Sequence, residues 1–99
     1  MNAFAETLAQ NRRLCLLRTL ESAPGYSAND SLLHTMVTDF GFHCSRDQVR
    51  TDLAWLAEQQ LVTLRELASV YVVCATQRGV DVARGFVTVP GVKRRGPGE

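Results

Sequence analysis

The stretch from Ser45 to Leu61, SRDQVRTDLAWLAEQQL, constrains the fold more than any other part of the chain. It reads as one amphipathic helix with a marked start. Ser45 is placed to accept a hydrogen bond from a free N–H of the first turn, and Gln48 follows at capping-box spacing. Val49, Leu53, Leu56 and Gln60 fall in one row at helical spacing, with Ala57 beside it. The other side carries Asp47, Arg50, Thr51, Ala54 and Glu58. Its first two turns are polar and partly basic, which suits a helix whose N-terminal half enters a major groove. The same pattern also suits a solvated face on a packed helix.

The segments before it complete a helix-turn-helix. Residues 3–22 contain no Gly or Pro and are good helix formers. Leu16, Leu17 and Leu20 form one apolar side; Phe4, Leu8 and Cys15 lie roughly opposite, with Leu14 between. One small core cannot cover both sides of a helix. The Phe4, Leu8 and Cys15 stripe is therefore expected to meet a second copy in a homodimer, the alternative being that these turns fold back on their own domain. Ala23-Pro24-Gly25 ends the helix, and Tyr26 is read as a strand stub. A second helix is expected to begin at Ser27, with Asp30 in capping-box register and Leu32, Leu33, Met36, Val37 and Phe40 as its apolar face; Gly41 closes it.

After Leu61 the composition turns to strand formers. Residues 61–66 and 70–75 are expected to pair as a hairpin around Leu67-Ala68-Ser69. Thr76 caps a short helix from Gln77 to Arg84, ended by Gly85. The fold class expected is mainly α with a β-hairpin wing. The domain is taken as residues 1–88, and residues 89–99 as a basic, mobile tail whose first part is apolar enough to pack.

This order resembles a winged helix-turn-helix domain, with an ArsR-like fold. Leu53, Leu56, Leu61 and Val62 match the Leu-x-x-Leu and Leu-Val run of the third helix and first wing strand in winged-helix repressors. Thr76-Gln77-Arg78-Gly79 is similar to the Thr-x-x-Gly opening of the last helix in many bacterial regulators. With Ser22 to Tyr26 and Thr88 to Arg94, the chain looks like a small winged-helix family of Mu-like phages and prophages. Two departures stand out. Gln60 occupies a position where Gly is usual, and the wing tip carries no Lys or Arg.

The resemblance implies a transcriptional regulator that binds double-stranded DNA in a sequence-specific way, as a dimer with each third helix in a major groove. Ser45, Arg46, Gln48, Arg50, Thr51 and Arg65 are the expected DNA-contacting residues. Arg matches a guanine edge and Gln an adenine edge with paired hydrogen bonds; either Arg would equally hold a phosphate. Asp47 and Asp52 weaken the patch. A formal net charge of +1 gives little general attraction to nucleic acid. Together with the uncharged wing, it keeps open a rival reading, a protein–protein adaptor or phage accessory protein that binds no DNA.

Other classes lack a signature. There is no Gly-rich phosphate loop and no Gly-x-Ser-x-Gly, and Asp39, Asp47, Asp52 and Glu58 form no acid/base pair, so no enzyme is expected. His34, His43, Cys44 and Cys74 lack metal-ligand spacing, so neither metal nor cofactor is expected. Three widely spaced cysteines point to a reducing, cytoplasmic setting, and no apolar run suits a membrane span. Trp55 is expected to pack against the hairpin or the second helix.

Overall fold

The computed structural model describes residues 3–97. In chain order the elements are α1 (Ala3–Ser22), a single 3-10 turn (Pro24–Tyr26), β1 (Ser27–Asn29), α2 (Asp30–Asp39), α3 (Arg46–Glu58), β2 (Val62–Leu67), β3 (Val70–Ala75) and α4 (Gln77–Ala83). The sheet order is β1-β3-β2, antiparallel throughout, with Ser27 opposite Cys74 and Val62 opposite Ala75. The architecture is mixed α/β, and the β2–β3 hairpin is compatible with a wing.

The start of α2 differs from expectation. Residues 27–29 pair with β3 as a strand, and Asn29 caps the helix by accepting from the Leu32 N–H at 2.8 Å. Asp30 is thereby freed from capping and turns inward, where it is fully buried. Strand pairing satisfies backbone groups that a longer helix would also have satisfied, and Asn is as good a cap as Ser. The apolar face of α2 is also narrower than its composition suggests. Leu33 and Val37 are buried, whereas Leu32 and Phe40 are exposed.

The core gathers Leu16, Leu17 and Leu20 of α1, Leu33 and Val37 of α2, Val49, Leu53 and Leu56 of α3, Val73 of β3, and Val80 and Ala83 of α4. It also takes in Val89 and Val92. The boundary expected at residue 88 is therefore corrected: the segment read as a mobile tail belongs to the packed domain at least to Val92. The Lys93 N–H bonds the Gln10 carbonyl on α1, and the Gly91 carbonyl accepts from Arg13 at 2.8 Å. Trp55 packs against the core and meets this segment. The Arg13 guanidinium lies over its ring at 4.3 Å, and Gly91 approaches so closely that a Cβ would sit 2.6 Å from the ring.

One ion pair crosses the interior. Arg12 of α1 donates through Nε and Nη2 to Asp52 of α3, and both side chains are buried. Asp52 therefore does not face the expected DNA patch. Arg13 Nε stands 3.6 Å from the same carboxylate. Removing Asp52 would leave Arg12 buried without its partner, a change that costs about 3–5 kcal/mol.

Two backbone positions explain local sequence. Gln60 adopts φ +63, so the exit from α3 is left-handed despite the missing Gly; its carbonyl accepts from the Thr76 hydroxyl at 2.8 Å. Gly79 has a different need. A Cβ there would stand 2.0 Å from the Leu61 carbonyl oxygen, because α4 crosses directly over that peptide. Within a helix, Gly to Ala would normally gain up to about 1 kcal/mol. Here the clash dominates, and overpacking of this kind typically costs about 1–3 kcal/mol. Gly79→Ala is thus expected to lower the urea midpoint of unfolding; an unchanged or raised midpoint would show that α4 is free to shift away.

Candidate nucleic-acid interface

All the expected contact residues but Arg65 sit at the N-terminal half of α3 or at its cap. Ser45 caps the helix, its hydroxyl accepting from the Gln48 N–H at 3.0 Å. Gln48 and Thr51 are exposed, and the Thr51 hydroxyl donates to the Asp47 carbonyl at 3.1 Å. Asp47 lies in the first turn, where a negative charge suits the helix dipole. Arg65 is exposed on β2, on the hairpin and apart from the α3 cluster in sequence. With Val49, Asp52, Leu53 and Leu56 buried, the free face of α3 is Asp47, Gln48, Thr51, Ala54 and Glu58.

Arg46 and Arg50 stand at the margin of that face, and both reach back to Asp30. Arg46 donates through Nε at 3.3 Å and Nη2 at 3.4 Å; Arg50 donates through Nε at 2.5 Å. The Tyr71 N–H of β3 completes the shell of Asp30 at 3.0 Å. Arg50 also donates to the Ser69 carbonyl at 2.9 Å and lies over the Tyr71 ring at 4.8 Å. The two arginine side chains nonetheless remain 41% and 34% exposed. One carboxylate therefore links α2, α3, β3 and the hairpin tip.

Asp30 is the residue of this cluster that sequence reasoning missed, having taken it for a partner in a helix cap. The available signal was the pair Asn29-Asp30: a helix needs one such cap, so with Asn29 in that place the acid was free for other use.

Burial by itself would push the Asp30 carboxyl up. The hydrogen bonds from Arg50, Arg46 and the Tyr71 N–H, with the charge of Arg50, outweigh it and hold the carboxyl at about 2. A folded-state pKa below the unfolded one stabilises the fold above the unfolded value, and that contribution is lost as pH falls through the folded value. Here the window runs from about 4 down to about 2, and the contribution is roughly 2 kcal/mol.

Elsewhere the candidates stay apart. His34 bonds the Cys44 carbonyl through Nε2 at 2.8 Å, tying α2 to the turn before α3. Among the described residues no three His, Cys, Asp or Glu side chains gather as metal donors. No helix there is long and apolar enough to cross a membrane. On α1, Phe4 is 75% exposed and Leu8 37% exposed. Cys15 is half-buried against the core, and burial pushes its thiol up, so it behaves as a small neutral apolar group. Cys15 also lines an open groove of about 600 Å³ between α1 and α2, with Leu14, Leu32, Met36, Phe40 and Phe42.

A protein of Escherichia phage Mu, described as "Uncharacterized protein gp26", is 47% identical over 92 residues, 93% of this chain and 95% of its own length. The chain belongs to the phage Mu gp26 family. A Haemophilus influenzae relative of this gp26-family chain, described as "Uncharacterized protein", is 44% identical over 77 residues, 77% of this chain and 74% of its own. No protein-family model and no solved structure matches the sequence.

The Asp30 cluster yields a pH test on this gp26-family protein. Urea unfolding of wild type and Asp30→Asn is compared from pH about 5 to about 2. The stability gap between them is expected to narrow by roughly 2 kcal/mol as Asp30 takes up its proton. A gap that stays constant would mean that the carboxylate charge contributes nothing.

Proposed function

We propose that this chain is a winged helix-turn-helix protein that binds double-stranded DNA as a phage- or prophage-encoded transcriptional regulator. The observation that carries the reading is the placement of Arg46, Gln48, Arg50 and Thr51 on the N-terminal half of α3. That helix follows α2 after a short turn and is flanked by the β2–β3 hairpin. The β1-β3-β2 order supports the winged-helix assignment. A helix of this kind presents its first turns to base edges while the preceding helix crosses the backbone.

The Phe4, Leu8 and Cys15 stripe is the proposed dimer contact. Phe4 and Leu8 are large apolar side chains left exposed on one helix, on the stripe that continues through Cys15 into the α1–α2 groove. A two-fold dimer would place its recognition helices on half-sites about 10 base pairs apart, or a multiple of that. Light scattering is expected to give a dimer for wild type and a monomer for Leu8→Glu. A monomeric wild type at tens of micromolar would remove the dimer.

One observation favours the adaptor reading. The free face of α3 carries Asp47 and Glu58, and the hairpin tip at Leu67 to Ser69 carries no cation. Fluorescence titration against mixed-sequence duplex DNA at low salt separates the two. Wild type is expected to bind. On the duplex that wild type binds best, Arg46→Ala with Arg50→Ala is expected to bind at least about tenfold more weakly, since each arginine would supply one good hydrogen-bonded pair to a base. Absence of wild-type binding at low salt would leave the adaptor.

A further inference from the structure

We propose that Arg46 and Arg50 read guanine edges rather than phosphates, and that buried Asp30 is the positioning residue that commits them to this. The inference rests on the DNA-binding reading above and names what that site recognises.

A guanidinium carries five N–H donors in a fixed fork. In Arg46 the Nε and Nη2 edge is spent on Asp30. In Arg50 Nε goes to Asp30 and Nη2 to the Ser69 carbonyl. In Arg46 this leaves the end-on edge, Nη1 with the second N–H of Nη2, outside the hydrogen bonds found among the described residues; in Arg50 it leaves Nη1 and one N–H of Nη2, and both side chains stay partly open to solvent. That edge is the one whose paired donors match O6 and N7 of guanine in the major groove.

Two features separate base reading from phosphate binding. The first is charge. Arg46 and Arg50 share the buried Asp30 carboxylate, and Asp47 lies on the same helical turn, so the cluster is formally neutral. A neutral cluster releases few counterions and gains little from phosphate. The second is order. Arg50 is held at Asp30, at the Ser69 carbonyl and over the Tyr71 ring. A pre-fixed fork loses little freedom on docking and rejects an edge that does not fit. A phosphate is served equally well by a mobile side chain.

The test begins with wild-type protein selecting from a random duplex library at low salt. The selected duplex is then remade with 7-deazaguanine, which replaces the N7 acceptor by C–H. Selected sites are expected to share a guanine whose 7-deaza form lowers affinity about tenfold, the size of one good base contact. Affinity should fall less than about a hundredfold between about 50 and about 200 mM salt, a shallower loss than a phosphate-gripping protein shows.

Arg50→Lys keeps the charge without the fork. It should lose the discrimination between selected and scrambled duplex while its affinity for scrambled duplex stays within about threefold. Asp30→Asn, where circular dichroism shows it folded, should lose the same discrimination and steepen the salt dependence. Binding that no 7-deazaguanine position weakens, or full discrimination in Arg50→Lys or in folded Asp30→Asn, overturns this inference and leaves DNA binding standing. A wild type that binds no duplex overturns both.

Discussion

A carboxylate buried without partners would neutralise or unfold its surroundings, so the place of Asp30 dictates what must surround it. Its oxygens meet two guanidinium groups of α3 and one backbone N–H of β3. No local interaction could do this. The helix that begins with Asp30 must lie against α3 at a fixed register, and β3 must pass close enough for Tyr71 to donate. Arg50 then extends the constraint to the hairpin tip through Ser69. One side chain thus ties α2, α3 and the hairpin together.

On its other side α3 is fixed by a second buried charge. Asp52 pairs with Arg12 of α1, while Trp55 packs under Arg13 and against Gly91. Asp30 and Asp52 both hold α3, through residues spaced along its first half. What remains free is a narrow strip from Asp47 to Glu58, bordered by the outer edges of Arg46 and Arg50. This is why net charge says so little about the proposed DNA contact. The cations that would touch a duplex are already balanced from within, and recognition would rest on geometry more than on attraction.

Much of this was legible in the sequence where the signal is local. Helix-forming residues without Gly or Pro placed α1, apolar periodicity placed α3, a run of strand formers placed the hairpin, and Ser45 and Thr76 marked helix starts that they do cap. The Gly79 motif had a physical reason that only packing reveals, the Leu61 carbonyl beneath it. What could not be read were partnerships across long stretches of chain. Arg12 and Asp52 lie 40 residues apart, and Asp30 and Tyr71 lie 41 apart. Charged residues are ordinarily solvent-exposed, so pattern reasoning set Asp52 beside the DNA patch rather than in the interior. The segment after residue 88 was read as apolar enough to pack at its start, and Val89 and Val92 do join the core; what composition did not give was that they belong to the domain itself. Of the candidate site, the residue types and their helix were legible; the acid that orients them was not.

The most direct measurement is a heteronuclear NMR titration that follows backbone amides and arginine Nε–H signals while duplex DNA is added at low salt. In the free protein the Nε–H of Arg50 should give a resolved signal, slow to exchange with water, because it is already bound to Asp30. With DNA it should persist while backbone shifts gather at residues 45–51. An Arg50 Nε–H that is averaged and exchanging in the free protein would contradict the account, as would shifts that appear elsewhere or not at all.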